Sequence, residues 1–273
     1  MKKLFIKITI TVCIILIHSI SKGAFEHIGT GARSAALNSA YSAVYGDIFS
    51  IFYNPAGIAV AGWVQFSMFY NSLFEIKELK YRGTAGLLPL AFATIGFGYT
   101  SYGNALYQEN SFTLSAGKRI FRGLLLGINL SWKELKIKNY GSAGAPGIDA
   151  GIITELSNNL SWGLYLKNIN SPVIGKSREK LPQIYSTGFS YSPTEEIMIN
   201  LDLYKDILFP FQLRMGVEYN LRKIAAVRFG AGRDPGIFST GLGLNYRGID
   251  MNYSLSLHSE LGISHQFSMG LRF

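Results

Sequence analysis

The last thirteen residues, Leu261 to Phe273, constrain the fold of this chain more than any other stretch. Apolar side chains fall on odd positions, at Leu261, Ile263, Phe267, Met269, Leu271 and Phe273. The even positions carry Gly262, Ser264, Gln266, Ser268, Gly270 and Arg272. Successive side chains of a strand point to opposite faces, so a period of two gives one greasy face and one small, polar face. The pattern runs to the end of the chain and stops at an aromatic residue.

The same alternation recurs upstream. Val64, Phe66, Met68 and Tyr70 oppose Gln65, Ser67 and Asn71, and Leu124, Leu126, Ile128, Leu130 and Trp132 oppose Gly127, Asn129, Ser131 and Lys133. Leu160 to Lys167, Ile197 to Leu203, Phe211 to Tyr219, Phe238 to Tyr246 and Met251 to Leu257 repeat it. Each segment is close to the roughly 9–11 residues of a tilted membrane strand. Weaker segments near 80–87, 91–100, 110–118, 147–155, 183–191 and 224–232 bring the count to about fourteen, and an even number suits a closed up-and-down barrel. The connections near 72–78, 101–109, 137–146 and 169–181 are long and rich in Gly, Ser, Asn and Pro, while those between them are short. Long and short connections alternate around a barrel with outer loops and tight periplasmic turns. The fold expected is all-β: an antiparallel transmembrane barrel of roughly fourteen strands over residues 61–273, in a bacterial outer membrane. The alternative reading of the pattern is a secreted soluble β-sandwich.

The polar face keeps charges among its glycines and serines. Asp202, Arg214, Glu218 and Arg228 are expected to look into a wet lumen and to pair across neighbouring strands. The C-terminal residues Phe267, Met269, Leu271 and Phe273 are expected to face lipid. Their pattern resembles the terminal strand by which barrel-assembly machinery recognises its substrates.

The N-terminus reads as a secretion signal over residues 1–23. Lys2 and Lys3 precede an apolar stretch from Leu4 to Ile17, and Ser21-Lys22-Gly23 supplies small residues at the cleavage positions, leaving Ala24 as the new terminus. The apolar run is shorter than the roughly 20 residues of a spanning helix. The sole cysteine, Cys13, lies within this leader, so the mature chain has no thiol or disulfide chemistry. The chain carries a net charge of +9, and the leader takes Lys2, Lys3, Lys7 and Lys22 with it. The remaining excess is scattered, without a basic run, which fits contact with anionic lipid head groups and not with nucleic acid.

Residues 24–60 do not read as barrel wall. Gly31 to Tyr45 is rich in small residues and leads to Asn54-Pro55-Ala56-Gly57, where Pro and Gly enforce a turn. Such a segment in front of a barrel suits a plug packed inside it. Gly29-Thr-Gly-Ala-Arg33, Ala40-Tyr-Ser-Ala-Val44, Asp47 and Tyr53-Asn-Pro-Ala-Gly-Ile58 closely resemble the N-terminus of the PorV/PorQ family of outer-membrane barrels. More loosely they are similar to the hatch of FadL-type transporters, in which an Asn-Pro-Ala motif lies in the plug. The resemblance implies a fourteen-stranded barrel and two functions. PorV/PorQ members handle secreted client proteins in type IX secretion, the reading that the motif fits better. FadL-like members pass fatty acids or other hydrophobic small molecules through a lumen gated by the plug. In either case Asn54, Pro55, Ala56 and Gly57 are the candidates for a gating or anchoring turn.

Other chemistries find little purchase. Outside the leader the histidines are His27, His258 and His265, and Ser264 beside His265 points to the opposite face of a strand, out of hydrogen-bond reach. No His, Cys, Asp or Glu cluster has metal-ligand spacing. Gly96-Phe-Gly98 and Gly241-Leu-Gly243 lie inside strand patterns, without the helix a phosphate loop requires. No enzyme activity, metal or cofactor is expected.

Overall fold

The computed structural model describes residues 23–273, so the leader reading lies outside the described residues. Fourteen antiparallel strands close into a barrel. They are β1 (Gln65–Ser72), β2 (Lys80–Pro89), β3 (Thr94–Gly103), β4 (Tyr107–Phe121), β5 (Leu124–Ile137), β6 (Gly141–Ser157), β7 (Leu160–Lys167) and then, after a small hairpin of β8 (Val173–Ile174) and β9 (Glu179–Lys180), β10 (Ile184–Tyr191). The ring continues with β11 (Ile197–Asp206), β12 (Gln212–Leu221), β13 (Ala225–Arg233), β14 (Ile237–Tyr246), β15 (Ile249–His258) and β16 (Gly262–Arg272). Sequence neighbours pair throughout, β7 with β10 across the small hairpin, and β1 pairs with β16 to close the ring. Closure leaves no unpaired edge, which is what a sheet in hydrocarbon requires.

The alternating pattern sets the two faces. Met68, Phe112, Leu114, Leu130, Met215 and Leu242 stand on the outside, exposed. Their neighbours Ser67, Thr113, Ser131, Asn129 and Glu218 are buried inside. Apolar residues out and polar residues in is the reverse of a soluble sandwich, and it places the molecule in a bilayer. Among the described residues no helix is long and apolar enough to cross a membrane; the strands do the crossing. Phe267, Met269 and Leu271 lie on β16, which carries the closing seam, and the Phe273 amide donates to the Val64 carbonyl at 3.0 Å.

Two connections expected as long loops are instead strand. Residues 137–146 zip β5 onto β6 as far as Ile137 opposite Gly141, and β3 and β4 pair out to Gly103 opposite Gln108. The Gly, Ser and Ala content reads as loop, but a partner strand in register overrides propensity. Pro146 is tolerated because β6 has run past β7 there: their pairing starts at Ala150 and Leu166, so one side of β6 makes no ladder demand. The 168–183 connection stays long and folds over that free edge, with the Ile169 amide on the Ile148 carbonyl at 2.9 Å and Asn170 bonded to Pro146.

Residues before β1 fill the lumen. A short helix α1 (Ala32–Ala36) packs against β13 to β16, and two turns of 3-10 helix, Ile48–Phe52 and Pro55–Val60, pack against β2 to β6. Leu37, Tyr41, Val44 and Tyr53 form this segment's own buried cluster.

Candidate functional site

The inner segment is seated by its small residues and by glycines of the wall. Ala32, Ala36, Ala40 and Ala56 are fully buried. At Gly127 a β-carbon would stand 2.2 Å from the Ala56 nitrogen, and at Gly151 2.0 Å from Asn54 Oδ1. The wall therefore admits the backbone of the inner segment only because these two positions carry no side chain.

Asn54 is completely buried and makes the densest set of bonds in the turn. Its Oδ1 accepts from the Ala56 amide at 3.1 Å, capping the second 3-10 helix, with Pro55 in the first helical position. Its Nδ2 donates to the Ser42 carbonyl at 2.6 Å and reaches the wall at the Ile152 carbonyl (3.1 Å) and the Leu164 carbonyl (3.4 Å). Residues Asn54 to Gly57 are thus brought against β5, β6 and β7, and their side chains and backbone are buried.

Two of the four expected lumen charges, Asp202 and Glu218, bind the inner segment, and Arg228 pairs with Glu218 across neighbouring strands. Asp202 Oδ2 accepts from the Tyr41 amide (2.8 Å), the Ser42 amide (2.8 Å) and Ser42 Oγ (2.7 Å). Glu218 takes a two-pronged bond from Arg33, Nε to Oε2 and Nη2 to Oε1, each at 2.7 Å. Arg228 Nε also donates to Glu218, and Arg33 Nη1 reaches Asp47 at 2.9 Å. Arg214 stands apart from this cluster, with its guanidinium 3.5 Å from the centre of the Tyr204 ring and a bond to Gln212. Arg33 escaped the charge reading of the sequence, though it sits in the motif Gly29-Thr-Gly-Ala-Arg33. A lone arginine in a small-residue run, expected inside a lumen that holds Asp202 and Glu218, was the available signal.

The segment starts near one end of the barrel and runs inward. The Ala24 amide donates to Glu179 Oε1 at 3.1 Å and the Phe25 amide to Glu109 Oε2 at 2.8 Å, while Ala24 and Phe25 pack with Ala145, Ile174 and Leu181. His27 follows, with its ring against Tyr53 and Tyr204. Burial, and then the positive charges of Lys167 and Arg214, hold the His27 imidazole well below its usual pKa, so it is neutral here.

Above the seated segment lies a cavity of about 900 Å³. It is bounded by Leu73, Phe74, Leu79, Tyr107, Phe209 and Leu261 and reaches the turns at 104, 209–210, 233–236 and 258–261. Those turns lie opposite the end that holds Val64 and Phe273. That end has the shorter connections, so the cavity opens toward the cell exterior. Its size is in the range of small-molecule sites. The inner segment forms its floor.

The remaining sequence candidates separate. Ser264 faces the lumen and accepts from the Phe74 amide at 3.0 Å, while His265 bonds the Tyr253 hydroxyl on the outer face at 2.7 Å. Trp63 and Trp132 are exposed on the outside, and Trp162 donates to Thr187 Oγ1 at 3.0 Å. No group of three His, Cys, Asp or Glu that could hold a metal occurs among the described residues.

No family model and no curated protein matches this chain. Solved structures do match its fold. The Ralstonia pickettii toluene transporter TbuX superposes with a TM-score of 0.71 at 11% identity, covering 90% of this chain and 98% of that one. The Pseudomonas putida toluene transporter TodX gives 0.63 at 12% identity, over 92% and 99%. A Pseudomonas aeruginosa FadL homologue gives 0.66 at 11% identity, over 92% and 99%. What this chain shares with these structures is the fold, here a closed barrel of fourteen antiparallel strands with an apolar exterior suited to a membrane.

Proposed function

We propose that this protein carries apolar small molecules across the bacterial outer membrane, with residues 24–60 acting as the plug that limits the path. The observation that carries this reading is the roughly 900 Å³ cavity, which has leucine and aromatic side chains along one side and is floored by the plug. A protein client needs no internal cavity with an apolar side, whereas a hydrophobic solute needs a place to leave water. The fold shared with toluene transporters and a FadL homologue supports the same reading. Asn54 and Pro55 act as the anchor of the plug, and Phe267, Met269, Leu271 and Phe273 as lipid contacts and assembly signal.

The test is to extract the protein from native outer membrane in mild detergent and to identify by mass spectrometry everything that remains bound. A stoichiometric apolar small molecule is expected. A secreted protein bound to a barrel with an empty cavity would overturn transport in favour of the protein-export reading that the motif from Gly29 to Ile58 suggests.

A further inference from the structure

The cavity is apolar along one side, yet two buried polar side chains on its wall lack partners. Asn71 on β1 and Gln266 on β16 face each other directly across the closing seam. They are 5% and 2% exposed and both line the cavity. Asn71 Nδ2 meets Gln266 Oε1 at a long 3.5 Å, which leaves Asn71 Oδ1 and Gln266 Nε2 with no hydrogen bond. Exchanging oxygen and nitrogen in both amides reverses that bond and leaves the same surplus, one acceptor and one donor side by side. Of the unpartnered buried polar side chains, these two alone line the cavity among the described residues.

Ser254, opposite Gln266 on β15, is buried with its hydroxyl also unbonded, but it does not line the cavity, and the positions before and after the pair on β16 are bonded. One inward step toward the plug, Ser268 Oγ accepts from the Ala32 amide at 3.3 Å; one step outward, Ser264 Oγ accepts from the Phe74 amide. Farther round the wall, Ser239 and Ser256 bond each other at 2.9 Å. Leu73, Phe74 and Leu79 supply the apolar flank beside the pair. A buried polar group without a partner is costly, so a pair left open beside the apolar flank of a cavity marks a place for a ligand or for water.

We propose that Asn71 and Gln266 form a head-group subsite for an uncharged apolar molecule whose single polar group both donates and accepts a hydrogen bond, as a primary carboxamide does. The carboxamide N–H donates to Asn71 Oδ1 while its carbonyl accepts from Gln266 Nε2, and the hydrocarbon lies along Leu73, Phe74 and Leu79. A carboxylate matches only half of this pair, because it has no donor for Asn71 Oδ1 and sets a charged oxygen against it. The charged lining adds to that mismatch: Glu26, Glu109, Asp206, Asp234 and Glu260 outnumber Arg214 and Arg233, and Arg233 is already paired with Asp234. This inference rests on the transport reading and names its substrate class.

The experiment uses the full chain in lipid nanodiscs and four radiolabelled ten-carbon probes: decane, decanol, decanamide and decanoate, with binding to empty nanodiscs subtracted. Decanamide is expected to bind about tenfold or more tighter than decane, with decanol between them and decanoate weaker than the amide. Asn71→Leu and Gln266→Met, checked for assembly by heat-modifiable gel mobility, should erase the preference for the amide and leave decane binding unchanged. Equal binding of decane and decanamide, decanoate as tight as the amide, or a preference that survives both substitutions would overturn the subsite and leave water as its occupant. Those results would leave transport standing, since the probes still bind. If none of the four binds, the transport reading falls and the subsite with it. Should the apolar variants fail to assemble, the probe series on the wild-type protein decides alone.

Discussion

Two of the places at which the inner segment is held work by opposite means. Near its start, Arg33 is clamped by Glu218 and Asp47, with Arg228 completing the cluster. Near its end, Asn54 to Ala56 sit against Gly127 and Gly151 through amide bonds and close backbone contact. The first anchor fails when an atom set is taken away, because a charge then stays buried without its counter-charge. The second fails when an atom set is added, because no room exists for it. A segment held in both ways is expected to loosen at either anchor without unfolding the wall.

The largest effect is expected from Glu218→Leu. It leaves Arg228 without a counter-charge and Arg33 with Asp47 alone, and loss of one member of a buried ion pair costs about 3–5 kcal/mol. Protease access to residues 24–60 and conductance in planar bilayers should both rise, while heat-modifiable mobility of the barrel persists. Unchanged conductance would show that the ionic anchor does not hold the plug.

Substitution at the other anchor is expected to do less. Gly127→Val overpacks the Ala56 contact and Asn54→Leu removes the cap and the wall bonds, each costing about 1–3 kcal/mol. Either should raise permeability to an apolar dye below the level of Glu218→Leu, without unfolding the barrel. If Gly127→Val leaves the plug in place, the close approach has been relieved by movement of the wall. Combining Glu218→Leu with Asn54→Leu sharpens the comparison further. Each anchor alone keeps the segment in the lumen, so the double variant should conduct by more than the sum of the two singles, and a simple sum would show that the ends move independently.

The smallest effect concerns pH. His27 is neutral in the folded protein because burial and the nearby cations lower its pKa. Released from the lumen, the imidazole titrates at its ordinary value of about 6.5, so below that pH the released state takes up a proton that the seated state refuses. Seating therefore weakens as pH falls below about 6.5 and is insensitive to this group above it. Bilayer conductance should rise modestly between about pH 6.5 and 5, and His27→Gln should abolish that part of the rise. A profile unchanged in His27→Gln would assign the pH dependence to other groups.

Legibility in the sequence tracks the range of the interactions. A period of two is a local property, so it survives in every strand from Val64 to Phe273 and identifies both faces of the wall. The turn at Asn54-Pro55 was readable for the same reason, since Pro and Gly act on their immediate neighbours. The hairpin extension through Ile137 and Gly141 was not, because its Gly, Ser and Ala residues become strand only when β5 is present as a partner. The contacts of Asp202 and Glu218 with the inner segment were equally hidden: they join residues between 160 and 185 positions apart.

What the sequence determined by itself was therefore the sheet and its orientation toward lipid, together with a small-residue segment unfit for the wall. Only the tertiary structure decided which strands seat that segment, which charges seize it, and which amides are left facing the cavity. The reason is physical: face alternation is written in adjacent side chains, but a seat exists only once the ring closes and brings β1 to β16.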